Sequence, residues 1–305
     1  MLQALINALA LGSAYALLAL GFVLIVNATS AVNFAQGDMV MAGGYVAVAA
    51  AGVLPVPGIV LLPAVIVLMV ALGLVFSLLA YFPLKSRPPV AVFISTIALG
   101  IIFQNTANAI FGGAPRAVPP LISGGQLTLG AVTLPEQSAA VIGVAAFLIL
   151  GQWWLFAKTP LGRRLRATAQ DRQMAEAIGI SVNAMIAFTF GLAAALAGAA
   201  GLLLGNTFFV SPTDGTNYII KAYIAVTIGG WGSLPGAVAG ALLIALFEVL
   251  YPSLPALLPL LARLVPASDI VFSQTMATIV LYVAVLLILF FRPQGLLGEV
   301  VQRRA

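Results

Sequence analysis

The sequence contains no cysteine and no histidine, and it is poor in charged residues. The chain therefore cannot form disulfides, and it lacks the thiolate nucleophiles, imidazole bases and usual zinc or haem ligands of enzymes. We expect no metal site. Clustered carboxylates suited to metal or acid–base chemistry are also missing, which disfavours a membrane-bound enzyme.

Only 7% of the 305 residues are charged, whereas a soluble protein uses roughly a quarter. Hydrophobic residues make up 62% of the chain and its mean hydropathy is +1.15. This composition excludes a soluble protein and predicts a chain embedded in a lipid bilayer. The net charge of +5 comes from Lys and Arg in short loops between apolar runs, so we expect no nucleic-acid partner.

Eight or nine apolar runs are long enough to cross a bilayer or to lie inside a bundle of helices. They cover residues 2–26, 38–53, 59–80, 90–111, 139–156, 184–205, 218–228, 236–250 and 270–291. The sequence predicts an all-helical polytopic bundle that forms one transmembrane domain over residues 1–305. Residues 229–236 leave the count open, because they mark either one broken helix or a turn between two spans.

The positions of Lys and Arg predict the orientation, since short cytoplasmic loops retain positive residues. Three basic places qualify: Lys85 and Arg87; Lys158, Arg163, Arg164, Arg166 and Arg172; and Arg292, Arg303 and Arg304. Parity between them favours nine spans with the N-terminus outside. Residues 112–137 then form an external loop, in which 126–129 and 131–133 flank Gly130 like a small hairpin.

With nine spans, the first four match the last four in opposite orientation, with breaks in corresponding places. Inverted repeats of this kind are common in transporters. The alternative is that any series of hydrophobic helices with polar links can be paired in this way, and residue identity between the two halves is slight.

The segment 158–180 is too polar to span a membrane. Thr159 as N-cap, Pro160 at the first helical position and Gly179 as the C-terminal stop predict a cytoplasmic helix or pair of helices. An amphipathic helix can simply lie on anionic headgroups. Acidic residues in its distal half, including Asp171, argue against that interpretation.

Small residues recur every four positions at 193–205 and again at 232–240, a pattern that lets another helix backbone pack closely. Tight static packing is the simpler interpretation. Residues 229–236 also interrupt a helix, which suggests a gate or hinge made by Gly230, Gly232, Pro235 and Gly236.

Polar side chains inside the apolar runs are candidates for a translocation path: Asn33, Gln36, Asp38, Gln104, Asn105 and Asn108. Asp38 is well placed to cap the second helix, and capping is favoured over contact with a solute. The amides of 104–108 are expected either to join helices or to line the path.

Lys221 and Glu248 are predicted to lie near the outer ends of short spans, where a charged tip reaches headgroups or water. No span then has a central carboxylate or lysine. This argues against a self-contained channel or ion-coupled secondary carrier, which normally buries an ionisable relay.

Four co-linear stretches resemble the permease subunits of branched-chain amino acid ABC importers, the LivH-like family. They are residues 166–180, with Arg-Ala-Thr-Ala-Gln-Asp followed by Met-Ala and Gly-Ile; residues 12–45, from Gly-Ser-Ala-Tyr to Gly-Gly-Tyr; Gly-Gly-Trp-Gly-Ser-Leu-Pro-Gly-Ala at 229–237; and Arg-Pro-Gln-Gly-Leu at 292–296. The resemblance covers nearly the whole chain. It is less specific for the solute, because urea and short-chain amide permeases look similar.

The resemblance implies an importer in a bacterial cytoplasmic (inner) membrane that carries branched-chain amino acids. Its expected partners are a second permease in a heterodimer, two cytoplasmic ATPases and an external substrate-binding protein. The chain has no Gly-x-x-x-x-Gly-Lys-Ser/Thr loop, so it carries no cofactor and the ATPases bind the ATP. The residues expected to couple to the ATPases are Arg166, Gln170, Asp171, Ala175 and Gly179.

Overall fold

The computed structural model describes residues 2–122, 124–129, 132–257, 268–292 and 295. Its helices are α1 Leu2–Thr29, α2 Gln36–Val53, α3 Gly58–Phe76, α4 Pro89–Phe111, α5 Glu136–Lys158, α6 Pro160–Gln170, α7 Arg172–Ala177, α8 Val182–Phe208, α9 Asp214–Gly229, α10 Leu234–Leu257, α11 Ser268–Val271 and α12 Gln274–Phe291. A π-helical turn and a 3₁₀ turn extend α3 through Leu84.

Each predicted apolar run overlaps a helix, and the last run, 270–291, covers the end of α11 and all of α12. In the described part of the chain, 7 helices are long and apolar enough to cross a membrane: α1, α3 with its extension, α4, α5, α8, α10 and α12. The chain is therefore a helical, multi-pass membrane protein. The other two runs form α2 and α9, and α9 has only 16 residues. A helix of that length spans about 24 Å, less than the hydrocarbon core.

The predicted hairpin is confirmed at one end of the bundle. Strands β1 (Gln126–Leu129) and β2 (Val132–Pro135) pair antiparallel, with Leu129 opposite Val132. The preceding segment crosses the same end, because the backbones of Arg116 and Val210 pair there. We call this end of the molecule the hairpin end.

The first two groups of basic residues lie together at the opposite end of the bundle, as expected for loops separated by two membrane spans. Lys85 Nζ donates to Asn183 Oδ1 at 3.2 Å, which joins the loop after α3 to the start of α8. Arg172 reaches Tyr81 and Ser30, both at 3.4 Å, at the ends of α3 and α1. We call this end the basic end.

The third basic place lies at the basic end as well. Gly295, shortly after α12, is close to the backbone of Gly230, and Asn27 near the end of α1 donates to the Gly232 carbonyl at 3.0 Å. Arg292 closes α12 on this side. Arg303 and Arg304 lie outside the described residues.

Two long helices form the centre of the bundle. The most apolar windows of α1 and α8 are 78% and 83% buried, compared with 17% for α5 and α12. Helix α1 packs along α10 and α8 packs along α3, and α1 and α8 also pack against each other. The helices α3, α4, α5 and α12 form the rim, and their outer faces carry exposed apolar side chains.

The predicted close packing of small residues is confirmed. A side-chain carbon at Gly201 of α8 would overlap the Val40 carbonyl of α2, and one at Gly240 of α10 would overlap the Ala225 carbonyl of α9. Helices α2 and α10 therefore touch their partners backbone to backbone, which only small residues allow.

The glycine-rich segment is a turn between two helices. Gly229 ends α9 and Leu234 begins α10, and Gly229 lies directly against Gly236, so the two helices run back along each other. Gly230 and Gly232 have φ of 110° and 82°, values that L side chains rarely adopt. Residues 229–236 therefore contain a turn between two separate helices and not a break within one helix.

Candidate functional site

The predicted path residues Asn33, Gln36 and Asp38 lie just before α2 and in its first turn, where α2 meets α4, α8 and α9. Asn33 Oδ1 accepts from the Ala35 amide at 3.1 Å, and Asn33 Nδ2 donates to Gln36 Oε1 at 3.3 Å. Gln36 Nε2 in turn donates to the Ala193 carbonyl of α8 at 3.2 Å. Both side chains are buried; Asn33 bonds locally at the start of α2, and Gln36 joins α2 to α8.

The prediction that Asp38 caps α2 is wrong. The N-cap is Ala35 and no side chain caps it, so Asp38 lies inside the first turn. Its Oδ1 instead accepts a hydrogen bond from Gln104 Nε2 of α4 at 2.8 Å. A carboxylate at this position still interacts favourably with the helix dipole.

Two helices, α4 and α9, leave room for the Asp38 carboxylate because they carry glycine there. A side-chain carbon at Gly100 of α4 would overlap Asp38 Oδ2, and one at Gly215 of α9 would overlap Oδ1. Gly37 of α2 also lies against the Gly215 carbonyl, so α2 and α9 cross at their first turns. Gly100 is near the middle of α4, and the crossing is therefore deep in the bundle.

The three amides of α4 lie together and border a cavity of about 240 Å³. Its wall consists of Gln104, Asn105, Asn108, Gly113, Ser211, Pro212 and Thr213. Residues 211–213 precede α9, so the cavity lies between α4 and the start of α9. Asn105 donates to the Ile101 carbonyl at 2.8 Å. The wall is polar and uncharged.

The predicted positions of Lys221 and Glu248 are wrong. Lys221 lies in the middle of α9, and its Nζ is 2.7 Å from Glu248 Oε1 of α10. Tyr15, midway along α1, donates to Glu248 Oε2 at 3.1 Å and accepts from Lys221 at 2.5 Å. Glu248 is only 7% exposed and the Lys221 side chain 21%, so the pair lies mostly inside the bundle. The bundle does hold a central carboxylate and lysine, but they satisfy each other.

The polar segment forms the predicted pair of helices at the basic end. Thr159 Oγ1 accepts from the Gly162 amide at 3.0 Å, which confirms it as the N-cap of α6. Asp171 ends α6 and caps α7, since its Oδ1 accepts from the Met174 amide at 3.0 Å. Gly179 has φ of 83° and follows the end of α7, as predicted.

The coupling residues divide into exposed and buried groups. Arg166, Gln170, Asp171 and Gly179 are exposed, and the Arg166 guanidinium donates to the Phe156 carbonyl of α5. Ala175 is only 2% exposed and faces the rest of the chain, so it offers no docking surface. Its neighbours Met174 and Ile178 are 61% and 68% exposed, and they present apolar side chains at the same surface.

The profile of the family described as "Branched-chain amino acid transport system / permease component" matches residues 4–291. The chain belongs to this family. The match extends from α1 to the last residue of α12, so the crossing of α2 and α9, the cavity and the helices α6 and α7 all lie within the family's domain.

Full-length relatives support the assignment. The high-affinity branched-chain amino acid transport system permease protein BraD of Pseudomonas aeruginosa is 32% identical, covering 98% of this chain and 96% of BraD. LivH of Escherichia coli K12, described in the same words, is 31% identical over the same shares. Among solved structures, PsaBC from Streptococcus pneumoniae in complex with Fab shares 18% identity over 94% of this chain and 90% of that chain, with a TM-score of 0.47.

The residues predicted to form a gate or hinge lie at the basic end, away from the cavity. The Gly236 amide donates to Ser233 Oγ at 3.1 Å, and this bond caps the start of α10. With Gly230 and Gly232 in left-handed conformations and Pro235 in the first turn of α10, the segment is a closely packed turn. Whether the turn also moves stays a prediction.

Three features could not be predicted from the sequence: the part of the cavity wall formed by residues 211–213, the Lys221–Glu248 pair, and the contacts of Arg172 with the ends of α1 and α3. Isolated glycines at 37, 100 and 215 were the available signal for the approach of α2, α4 and α9 beside this wall, because a lone glycine in an apolar helix marks a close approach. Which helices approach each other there depends on the tertiary packing.

Proposed function

We propose that this chain is the permease subunit of an ATP-driven importer that carries branched-chain amino acids across a bacterial cytoplasmic membrane. The observation that carries the proposal is membership of the family over nearly the whole chain, with relatives of equal length described as branched-chain amino acid permeases. The uncharged polar cavity between α4 and α9 supports it, since a solute in transit needs contacts that are weak enough to break.

The ATPases dock on α6 and α7 in this proposal, and they alone bind ATP. The exposed surface of the two short helices mixes Arg166, Gln170 and Asp171 with the apolar Met174 and Ile178. Apolar side chains surrounded by charge suit a protein interface better than an anionic headgroup surface. Gly179, which is also exposed, is the remaining residue of the proposed docking site.

Movement of α6 and α7 reaches the spans through close contacts. A side-chain carbon at Gly162 would overlap the Leu155 carbonyl, so α6 is packed tightly on the end of α5. Arg172 connects α7 to Ser30 after α1 and to Tyr81 at the end of α3. These contacts support a lever in which closure of the ATPases displaces α1, α3 and α5 together.

The contacts between helices support an inverted repeat of α1–α4 and α8–α12. Exchanging α1 with α8 and α3 with α10 turns the pairing of α1 and α10 into that of α8 and α3, and both pairings exist. The same exchange relates Ser30 and Phe209, whose φ of 54° and 62° are the positive values among non-glycine residues of the described chain. It also relates α2 to α9, which cross at Gly37 and Gly215.

Nine crossings follow from this arrangement, with the basic end in the cytoplasm. The non-helical segments 30–35 and 209–213 each enter the bundle, and α2 and α9 complete those two crossings as short helices. Backbone that is not helical is tolerated at such depth only where protein or a cavity surrounds it. The hairpin end then faces outward and receives the substrate-binding protein.

A second permease covers the cavity side of α4 and forms a heterodimer with this chain. Asn105 and Asn108 are exposed amides on a predominantly apolar membrane helix. Amides that face lipid are costly, whereas amides that line a water-filled path between two subunits are not. We therefore place the translocation path of Gln104, Asn105 and Asn108 at this interface, with Asp38 behind it.

The test is solute uptake by the complete importer, with both permeases, both ATPases and the binding protein, in proteoliposomes that contain ATP. We expect labelled leucine to accumulate and excess isoleucine or valine to compete, while excess urea or acetamide has no effect. Uptake of urea or acetamide in place of leucine would assign the chain to the rival cargo. Leucine movement that ignores ATP would favour a channel or secondary carrier.

A further inference from the structure

The carboxylate of Asp38 is buried deep in the bundle without a cation. The residue is 6% exposed, and its one side-chain hydrogen bond comes from the neutral amide of Gln104 at 2.8 Å. Among the residues that the structure describes, Lys221 and Glu248 form an ion pair, whereas no lysine or arginine pairs with Asp38. An ionised carboxylate in such surroundings is expensive unless a cation joins it.

The space around Asp38 is shaped for that group. Gly100 and Gly215 approach its two oxygens from α4 and α9, so that any larger residue at either position would displace the carboxylate. Oδ2 receives no hydrogen bond from the described residues.

The side chain of Gln104 lies between Asp38 and the cavity. Gln104 forms part of the cavity wall and its amide covers Asp38 Oδ1, while Thr213 in the same wall leads into the turn that holds Gly215. A primary ammonium group in the cavity can replace the Gln104 amide as the donor to Oδ1. Asn105, Asn108 and Thr213 remain to bind the carboxylate of the same solute.

We propose that Asp38 is the counter-ion for the primary ammonium group of the amino acid in transit. This inference rests on the proposed function and names the group of the solute that the path recognises. It explains how the path favours a zwitterion over a neutral solute such as urea, because only an ammonium group compensates the buried carboxylate. The solute is released when the Gln104 amide again donates its hydrogen bond to Asp38 Oδ1.

The test is Asp38→Asn in the complete importer. The amide keeps the shape of the side chain and can accept a hydrogen bond, but it has no charge. We expect leucine uptake to fall about tenfold or more, the effect of losing a charge-assisted hydrogen bond. ATP hydrolysis stimulated by the binding protein should stay within about twofold of the wild type, because the coupling surface is unchanged.

The control is Thr106→Val, a change of similar size on α4 at an exposed position outside the cavity wall, which should leave uptake unchanged. Wild-type uptake by Asp38→Asn would overturn the proposal, since a neutral side chain would then suffice. An equal fall in uptake, ATP hydrolysis and assembly would also overturn it, because Asp38 would then be structural.

A second measurement uses only the wild-type complex, in nanodiscs without the binding protein. Saturation-transfer NMR should detect leucine at millimolar concentration but not 2-hydroxy-4-methylpentanoate, which carries a hydroxyl in place of the ammonium group. Equal signals from both compounds would overturn the proposal. Failure of the proposed function would look different, because wild-type uptake of leucine would then be absent before any variant is compared.

Discussion

At the scale of single residues, the buried Lys221–Glu248 pair shows how polar groups stabilise the centre of this bundle. The pair and Tyr15 join α1, α9 and α10 by three contacts of 2.5 to 3.1 Å. Removing one member of a buried ion pair leaves the other charged and unpaired. The pair therefore fixes the position of α9, which directly follows the cavity-wall residues 211–213.

We predict that Glu248→Gln or Lys221→Met alone lowers the free energy of unfolding by about 3 kcal/mol, the usual cost of an unpaired buried charge. The double variant Lys221→Met with Glu248→Met should recover most of this loss, because no charge stays buried. Unfolding of the purified subunit in mixed micelles measures both. Single variants as stable as the wild type would show that water reaches the pair.

At the scale of helices, the crossing of α2 and α9 depends on glycine at position 37. We predict that Gly37→Ala forces the two helices apart and lowers the free energy of unfolding by about 2 kcal/mol, as overpacking usually does. Gly52→Ala on the same helix is the matched control, because no atom lies within 4 Å of the added carbon. Equal effects of the two substitutions in the unfolding assay would contradict this account of the crossing.

The helices α6 and α7 meet at Asp171, whose side chain caps α7. We predict that Asp171→Ala weakens binding of the ATPases about fivefold, because a lost N-cap costs about 1 kcal/mol of helix stability. Asp171→Asn keeps a capping oxygen and should bind within about twofold of the wild type. Quantitative pull-down of the ATPases distinguishes the two. Equal loss in both variants would mean that the charge, and not the cap, makes the contact.

The helices themselves could be predicted from the sequence, but several of their contacts could not. Length and apolarity identified all nine runs, and Thr159 and Gly179 marked the ends of the polar segment because capping is a local property. The partners of Asp38 and Glu248 are 66 and 233 residues away along the chain, at Gln104 and Tyr15. No local pattern reports such pairs.

At the scale of the whole molecule, the bundle has one basic end and one hairpin end. We predict that an external membrane-impermeant maleimide labels Gly124→Cys in intact cells and labels Ser86→Cys only after the membrane is opened. The chain has no native cysteine, so each variant reports a single position. Labelling of Ser86→Cys from outside would reverse the proposed orientation.

The central claim is that force from the ATPases enters through α6 and α7. The most direct measurement compares leucine transport by the complete importer with transport by the permeases alone, in matched proteoliposomes. The account predicts accumulation against a gradient only with the ATPases and ATP, and its loss on charge reversal at Arg166 and Asp171 together. Permeases that move leucine equally well without the ATPases would contradict it.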